Sequence, residues 1–186
     1  MAQTIQDFKD ALNQSIINAD VVKIFDNLLT IAVEEEASDI HIEAFEDYCR
    51  MRIRIDGELQ ELVQYPKSIH ESIISKFKIE SWQMRPDERR LPQDARVSTT
   101  TLTNKEIDLR ASTLPMIWWE KLVMRIVDKS KKMPKLEDLG IEWSNHDIVM
   151  RQLSSPNGII LNTWPTGSGK TSTLYAALSY INAVNV

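Results

Sequence analysis

The chain has 186 residues, of which 42% are apolar and 26% are charged, a composition typical of one or two globular domains. Its formal net charge of −5 argues against bulk electrostatic binding to nucleic acid, and its single cysteine excludes an internal disulfide. Because no apolar run is long enough to span a membrane, we predict a cytoplasmic protein whose only membrane association is peripheral.

The amino-terminal region predicts two helices followed by a strand. Residues 1–19 form a weakly helical segment, and Asp20 is a good N-cap for a second helix in which apolar residues recur at helical spacing. The pair Ser38-Asp39 ends this helix, and a strand begins at Ile40.

The clearest β signal is an alternating run that stops at Asp56-Gly57. Arginines alternate with apolar residues before this pair, and a second apolar run follows it over residues 58–63. An Asp-Gly pair between two such runs is typical of a hairpin turn. The alternation places three arginines on one face, which we interpret as a solvated strand face: Arg50, Arg52 and Arg54.

The next region predicts one helix and three more strands. The helix covers residues 68–80, where apolar residues fall on one face. The strands are predicted at residues 95–101, 106–112 and 121–127. A basic, polar stretch that ends at Pro134-Lys135 is typical of a linker, so the first folded unit is predicted to end near residue 128.

Residues 164–171 read W-P-T-G-S-G-K-T, a phosphate-binding loop (P-loop) with tryptophan in place of its first glycine. The preceding apolar run, residues 158–163, is typical of a buried strand, and the residues from 171 to 182 predict a helix. A strand, this loop and a helix together form a phosphate cradle, because backbone N–H groups and the helix N-terminus face the phosphates.

This loop predicts a nucleotide site that holds ATP with Mg²⁺. Lys170 would reach the β- and γ-phosphates, and the Thr171 hydroxyl would ligate Mg²⁺. The residues predicted to bind the nucleotide are Trp164, Pro165, Thr166, Gly167, Ser168, Gly169, Lys170 and Thr171.

The second unit offers only one strand, the loop and one helix, whereas a P-loop domain needs several parallel strands covered on both faces. No second acidic motif for Mg²⁺ follows the loop. We therefore expect a fragment of a longer protein, inactive in ATP hydrolysis on its own, with exposed apolar side chains around Ile159–Leu161.

Several separated segments occur in collinear order before the P-loop, namely 37–43 (ASDIHIE), 54–57 (RIDG), 88–94 (ERRLPQD), 107–110 (IDLR), 112–115 (STLP), 120–125 (EKLVMR) and 156–160 (PNGII). From about residue 20 onward, the chain resembles the secretion-ATPase E family, the assembly ATPases of type II secretion and type IV pili. The resemblance implies an α/β chain with a PAS-like domain (20–128) after a helical segment (1–19). A linker (129–135) would then lead to the start of a RecA-like P-loop NTPase core (136–186).

The same resemblance implies partners and further site residues. Such proteins form hexamers on inner-membrane platform proteins at the cytoplasmic face of the membrane, with no membrane span and no nucleic acid. Arg96 and Arg110 match arginines that reach the γ-phosphate and count with Lys170 as catalytic candidates; the alternative is that both form surface ion pairs. Asp39 and His41 match a family motif, for which we favour a structural role at the strand entry.

Tryptophan replaces glycine in several family positions. One hypothesis is a degenerate ATPase, because an indole at Trp164 would crowd a turn that needs the free backbone of glycine. The other is that UGA codons for glycine were translated as tryptophan, which explains all five tryptophans together with the low count of five glycines. The tryptophans are Trp82, Trp118, Trp119, Trp143 and Trp164.

Three functions remain open from the sequence. The first is a motor subunit whose complete form hydrolyses ATP to drive pseudopilus or pilus assembly. The second is a non-catalytic scaffold subunit with a damaged loop. An unrelated P-loop kinase or GTPase is the third, and it leaves the segments between residues 37 and 125 unexplained. The sequence does not distinguish a secretion machine from a pilus machine.

Overall fold

A computed structural model describes residues 4–128, 135–141, 143–163 and 169–184. The chain consists of two compact units, which we call the first unit (Met1–Ser130) and the second unit (Lys131–Val186). Most of the predicted linker, residues 129–134, lies outside the described residues, and the predicted domain boundaries stay predictions.

The described part of the first unit folds as three α-helices, a short 3₁₀ helix and one antiparallel sheet. The helices are α1 (Ile5–Ile17), α2 (Val21–Glu34) and α3 (His70–Ser81), with the 3₁₀ helix Lys67–Ile69 before α3. The strands are β1 (Asp39–Ala44), β2 (Cys49–Ile55), β3 (Glu58–Tyr65), β4 (Gln93–Thr100), β5 (Glu106–Pro115) and β6 (Glu120–Asp128).

Side-chain caps fix where the first two helices begin. Thr4 and Asp7 form a capping box at α1, in which each side chain accepts a hydrogen bond from the other residue's backbone N–H. Asp20 caps α2 and accepts from the Lys23 N–H at 3.2 Å, as the sequence predicted. Both caps satisfy backbone donors that the first helical turn would leave without partners.

The six strands form one sheet in the order β3-β2-β1-β6-β5-β4. The predicted β2–β3 hairpin is confirmed: Asp56 and Gly57 both have positive φ, 49° and 88°, as a tight hairpin turn requires. The centre of the sheet pairs β1 with β6, which are more than seventy residues apart in the chain. This long-range pairing joins the β1–β3 hairpin region to the β4–β6 meander.

The hydrophobic core lies between the helices and one face of the sheet. Its members come from all three helices and from alternate positions of the strands, including Ile24, Phe77, Ile40, Leu109 and Met124. Because side chains alternate across a strand, the intervening positions form the opposite face of the sheet. We call this opposite face the polar face.

The three arginines of β2 lie on the polar face, but the prediction that they are simply solvated is wrong. Their side chains are only 21–32% exposed. Arg50 and Arg52 bind the carboxylate of Glu43 on β1, which also binds Lys121 on β6 at 2.7 Å. Burial opposes ionisation of Glu43, but hydrogen bonds from Lys121, Arg52 and Arg50 outweigh it and lower its pKa to about 2.

Trp82 ends α3 in a conformation that favours glycine. Its φ is 55° and ψ is −8°, the left-handed region, and its side chain is 92% exposed, so no burial offsets the strain. We expect Trp82→Gly to stabilise the first unit by about 1 kcal/mol, which corresponds to a rise of roughly 3–6 °C in its melting temperature. Thermal unfolding followed by circular dichroism measures this rise.

Trp118→Gly is the matched control for this prediction. Trp118 is also partly exposed but does not have a positive φ, and it lies over the Lys67 ammonium at 5.8 Å. Glycine there relieves no strain and loosens the backbone, so this variant should melt lower than the unmodified chain. Equal shifts in the two variants would contradict the conformational explanation at Trp82.

The described second unit contains a 3₁₀ helix (Leu136–Leu139) and two helices, α4 (Trp143–Leu153) and α5 (Lys170–Val184). Leu136 and Ala176 are its buried apolar side chains among the described residues. The strand predicted at residues 158–163 is not formed. Ile159 and Leu161 are instead 87% and 81% exposed, because a parallel strand needs neighbouring strands for its hydrogen bonds and burial.

Among the residues that the structure describes, none of the helices combines the length and the hydropathy that a membrane span requires.

Candidate functional site

The described end of the P-loop leads directly into α5. Gly169 has a φ of 87°, and Lys170 is the first residue of the helix, one residue earlier than predicted. The Thr173 backbone N–H donates to the Gly169 carbonyl at 2.9 Å, and the Asn162 amide donates to the Lys170 carbonyl at 3.1 Å. Lys170 and Thr171 therefore lie in the first turn of a fifteen-residue helix, whose N-terminus favours anions.

The rest of the predicted loop lies outside the described residues, namely Trp164, Pro165, Thr166, Gly167 and Ser168. Their predicted contacts with a nucleotide stay predictions.

Three arginines lie side by side on the polar face of the first unit. Arg96 on β4 is directly opposite Arg110 on β5, and Arg110 is directly opposite Arg125 on β6. We call Arg96, Arg110 and Arg125 the arginine row. The structure thus brings together the two arginines that the sequence predicted and adds a third.

Arg96 and Arg110 do not form the surface ion pairs of the alternative within the described part of the chain. Arg96 and Arg110 are exposed, and neither guanidinium contacts an acid or a hydrogen-bond acceptor within the described part of the chain. Like charges directly opposite one another in a sheet cost roughly 0.2–1 kcal/mol for each pair. Adjacent positive charges that lower stability in this way are typical of a site that binds an anion, because the anion offsets their repulsion.

The arginine row lines an open cavity of about 490 Å³. Asp39, Ser112 and Gln83 also line it, and the Gln83 side chain accepts a hydrogen bond from the Arg96 backbone N–H at 3.0 Å. Arg125 and Gln83 were not predicted from the sequence. The sequence places Lys121, Val123 and Arg125 at alternate positions of one predicted strand and therefore on one face, but only the register of the sheet shows that Arg125 continues the arginine row.

Asp39 and His41 lie on β1 with different surroundings. Asp39 lines the cavity, and its carboxylate contacts Arg54 and Arg125, each at 3.3 Å. His41 is absent from the cavity lining, and its buried Nδ1 has no hydrogen-bond partner among the residues that the structure describes. Burial is the main reason that the pKa of His41 is lowered, so its ring is favoured in the neutral form.

The described residues do not hold a metal by themselves. They contain no cluster of three or more His, Cys, Asp or Glu side chains suited to a metal ion. Thr171 offers one hydroxyl at the start of α5. Mg²⁺ is commonly bound through one or two protein oxygens together with substrate phosphates and waters, so a single hydroxyl fits that mode of binding.

A P-loop sequence that ends in the first turn of a helix is the feature of the P-loop nucleotide-binding class. The family model described as "Type II/IV secretion system protein" matches residues 15–186. The chain belongs to this family, which confirms the resemblance noted in the sequence.

Two curated relatives represent the two machines that the resemblance implied. The type II secretion system protein E of Aeromonas hydrophila is 41% identical over 166 residues, 89% of this chain and 33% of the relative. The type IV pilus assembly ATPase PilB of Myxococcus xanthus is 39% identical over 176 residues, 95% of this chain and 31% of the relative. The chain therefore spans about a third of the length of these relatives.

Solved structures of similar fold include two ATPases. The pilus retraction motor PilT with bound ADP matches with a TM-score of 0.53 and 25% identity, over 83% of this chain and 42% of PilT. The Legionella pneumophila ATPase DotB matches with a TM-score of 0.59 over 84% of this chain and 42% of DotB. At 16% identity, the likeness to DotB concerns the fold alone.

Proposed function

We propose that the chain is part of an ATP-binding motor subunit, whose whole protein hydrolyses ATP to power assembly of a type II secretion pseudopilus or a type IV pilus. The observation that carries this proposal is the arginine row, which faces an open cavity without an acid between its members. The position of Lys170 and Thr171 in the first turn of α5 also supports the proposal, because both would face a bound phosphate.

In this proposal the P-loop binds and orients the phosphates. Backbone N–H groups of the loop, other than at Pro165, would bind the phosphates, and the Lys170 ammonium would contact the β- and γ-oxygens. The Thr171 hydroxyl would hold Mg²⁺, which would supply positive charge to the phosphates.

The arginine row supplies positive charge during phosphoryl transfer. Charge spreads over the oxygens of the transferring group, and planar guanidinium groups bind such oxygens in pairs of hydrogen bonds. Arg96 and Arg110, which we propose as catalytic residues together with Lys170, stabilise that charge more strongly in the transition state than in bound ATP. Such interactions raise kcat instead of tightening substrate binding.

The proposal extends to domains, partners and location. We propose that residues 20–128 are a PAS-like domain and that residues 136–186 begin a RecA-like core, joined by the 129–135 linker. The similarity to a type II secretion system protein E, to PilB and to PilT supports a motor in secretion or pilus machines. We also propose a homo-hexamer bound to inner-membrane platform proteins at the cytoplasmic face of the membrane, and the family membership supports this proposal.

The replacement Arg110→Ala tests the arginine row. In the whole protein we expect kcat for ATP hydrolysis to fall about 100-fold with little change in KM, because the lost interaction belongs to the transition state. Steady-state phosphate release measures both constants. If the printed sequence hydrolyses ATP too slowly, the same comparison is made in a Trp164→Gly background.

Arg50→Ala is the matched control for Arg110→Ala. Arg50 lies on the same polar face, but it is paired with Glu43 and Glu61 and does not line the cavity. Its loss should leave kcat within about twofold of the unmodified protein, because Arg50 lies outside the cavity and its ion pairs serve the sheet alone. A kcat that is equally insensitive to Arg110→Ala would exclude Arg110 as a catalytic residue.

A further inference from the structure

We infer that Asp39 is a positioning residue that holds Arg125 in the arginine row. The inference rests on the proposed function, because it concerns how the charge that acts on the transferring phosphoryl group is kept in place. Asp39 itself is not assigned a contact with the substrate.

The register of the sheet places Asp39 next to the arginine row. On β1 it is directly opposite Arg125 of β6 on one side and Arg54 of β2 on the other. Within the described strands, this one line of opposite residues runs across β2, β1, β6, β5 and β4 and contains a single acid. Asp39 is therefore the carboxylate of this line, directly opposite Arg125, where its charge offsets repulsion between Arg125 and Arg110. Asp94 also lines the cavity and accepts a hydrogen bond from the Ser112 hydroxyl.

The Asp39 carboxylate is itself held firmly. Asp39 is 9% exposed, and its Oδ2 accepts a hydrogen bond from the Ser38 hydroxyl at 2.8 Å. The same oxygen lies 3.3 Å from Nε of Arg54, while Oδ1 lies 3.3 Å from Nε of Arg125. A carboxylate fixed on both oxygens is a suitable anchor for a long and flexible side chain.

Arg125 needs such an anchor. Its side chain is 71% exposed, and Asp39 is its ion-pair partner among the described residues. An exposed arginine that is not anchored populates many rotamers, which weakens any contact that depends on its orientation. Asp39 contacts Nε only, so the two terminal nitrogens of Arg125 keep their hydrogen-bonding capacity for an anion in the cavity.

Glu43, on the same strand as Asp39, is an acid whose described contacts serve only the structure of the sheet. It lies four residues along β1 from Asp39, on the same face. Its carboxylate forms ion pairs with three side chains that do not line the cavity: Arg50, Arg52 and Lys121. Asp39, in contrast, lines the cavity and contacts a member of the arginine row. The two acids form a matched pair in which only Asp39 is connected to the proposed chemistry.

Asp39 should affect kcat and KM in different ways. Its negative charge repels the phosphates of bound ATP, whereas its hold on Arg125 favours the transition state. In the whole protein we expect Asp39→Asn to lower kcat about tenfold, while KM for ATP stays the same or falls. Glu43→Gln should lower the melting temperature but leave kcat within about twofold, because its partners lie outside the cavity.

A double-mutant cycle with Arg125→Ala provides the decisive readout. If Asp39 acts through Arg125, then Asp39→Asn lowers kcat about tenfold in the unmodified protein and by less than about twofold in the Arg125→Ala background. A structural role of Asp39 would lower kcat by the same factor in both backgrounds. Melting temperatures of all four proteins establish that each is folded at the assay temperature.

Two results would overturn the inference. One is a kcat for Asp39→Asn within twofold of the unmodified protein, and the other is an equal effect in both backgrounds. These outcomes differ from failure of the proposed function itself, in which Lys170→Ala and Arg110→Ala would also leave ATP hydrolysis unchanged.

Discussion

Replacing Lys170 with alanine is expected to lower ATP hydrolysis by the whole protein about a thousandfold or more, because the ammonium is the P-loop charge that contacts the β- and γ-phosphates. Lys170 is the first residue of α5. Because alanine keeps the backbone N–H and C=O groups, the change removes this charge without removing a helical hydrogen bond. Steady-state phosphate release gives the rate, and equilibrium binding of a fluorescent ATP analogue shows how much of the loss is affinity. Secretion or piliation by cells that carry the variant should be lost.

Lys23→Ala is the control for the loss of a lysine charge. The Lys23 side chain is 71% exposed and forms an ion pair with Asp20, the N-cap of α2. Hydrolysis and assembly should both be retained in this variant, since the effect of an exposed pair is small. If Lys170→Ala also leaves assembly unchanged, the motor proposal fails and the non-catalytic scaffold subunit becomes the better explanation.

Local signals were sufficient to predict the helices, the Asp20 cap and the hairpin of the first unit. Asp20 begins α2, the Asp56-Gly57 turn joins β2 to β3, and the remaining strands lie within a few residues of their predicted ranges. These features depend on neighbours in the sequence, namely hydrophobic periodicity, capping side chains and turn residues. They do not depend on how distant segments pair.

Pairing between distant strands was not predictable from the same signals. The β1–β6 pair brings Asp39 opposite Arg125, and this contact depends on a register that no local pattern specifies. The solvated face predicted for Arg50 and Arg52 was wrong for the same reason, because their shared partner Glu43 comes from a different strand. Of the arginine row, Arg96 and Arg110 were named from the sequence and Arg125 was not, and the catalytic roles of Arg96 and Arg110 stay predictions.

The run at residues 158–163 shows a different limit. Its apolar residues predicted a strand that is not formed, whereas the exposure predicted around Ile159–Leu161 is confirmed. A parallel strand gains its stability from neighbours on both sides and from helices on both faces, so composition alone does not make it form.

The structure supports the glycine hypothesis at one tryptophan and does not extend it to two others. Trp82 has the left-handed backbone that glycine favours, whereas neither Trp118 nor Trp119 has a positive φ. Among the described tryptophans, Trp82 is therefore the one whose backbone conformation gives a physical reason for glycine.

Trp164→Gly is expected to increase kcat/KM for ATP hydrolysis by the whole protein on the order of a thousandfold. The first glycine of a P-loop lets the backbone approach the phosphates closely, and an indole there would prevent several N–H groups from reaching them. Each hydrogen bond to a charged group contributes roughly 1.5–3 kcal/mol, so loss of two is sufficient for an effect of this size. Isothermal titration with ATP and steady-state phosphate release measure the gain.

Trp82→Gly is the control that separates this effect from a general benefit of removing tryptophan. It should raise the melting temperature of the first unit and leave ATP affinity unchanged, because Trp82 lies at the end of α3 in the first unit, away in sequence from the P-loop. The codons of all five tryptophans give an independent result: UGA at each of them supports glycine in the natural protein, whereas UGG means that the tryptophans are genuine. If the codons are UGG and Trp164→Gly binds ATP no better than the printed sequence, then position 164 does not limit the nucleotide site, and the loss of the first P-loop glycine has no functional cost in this protein.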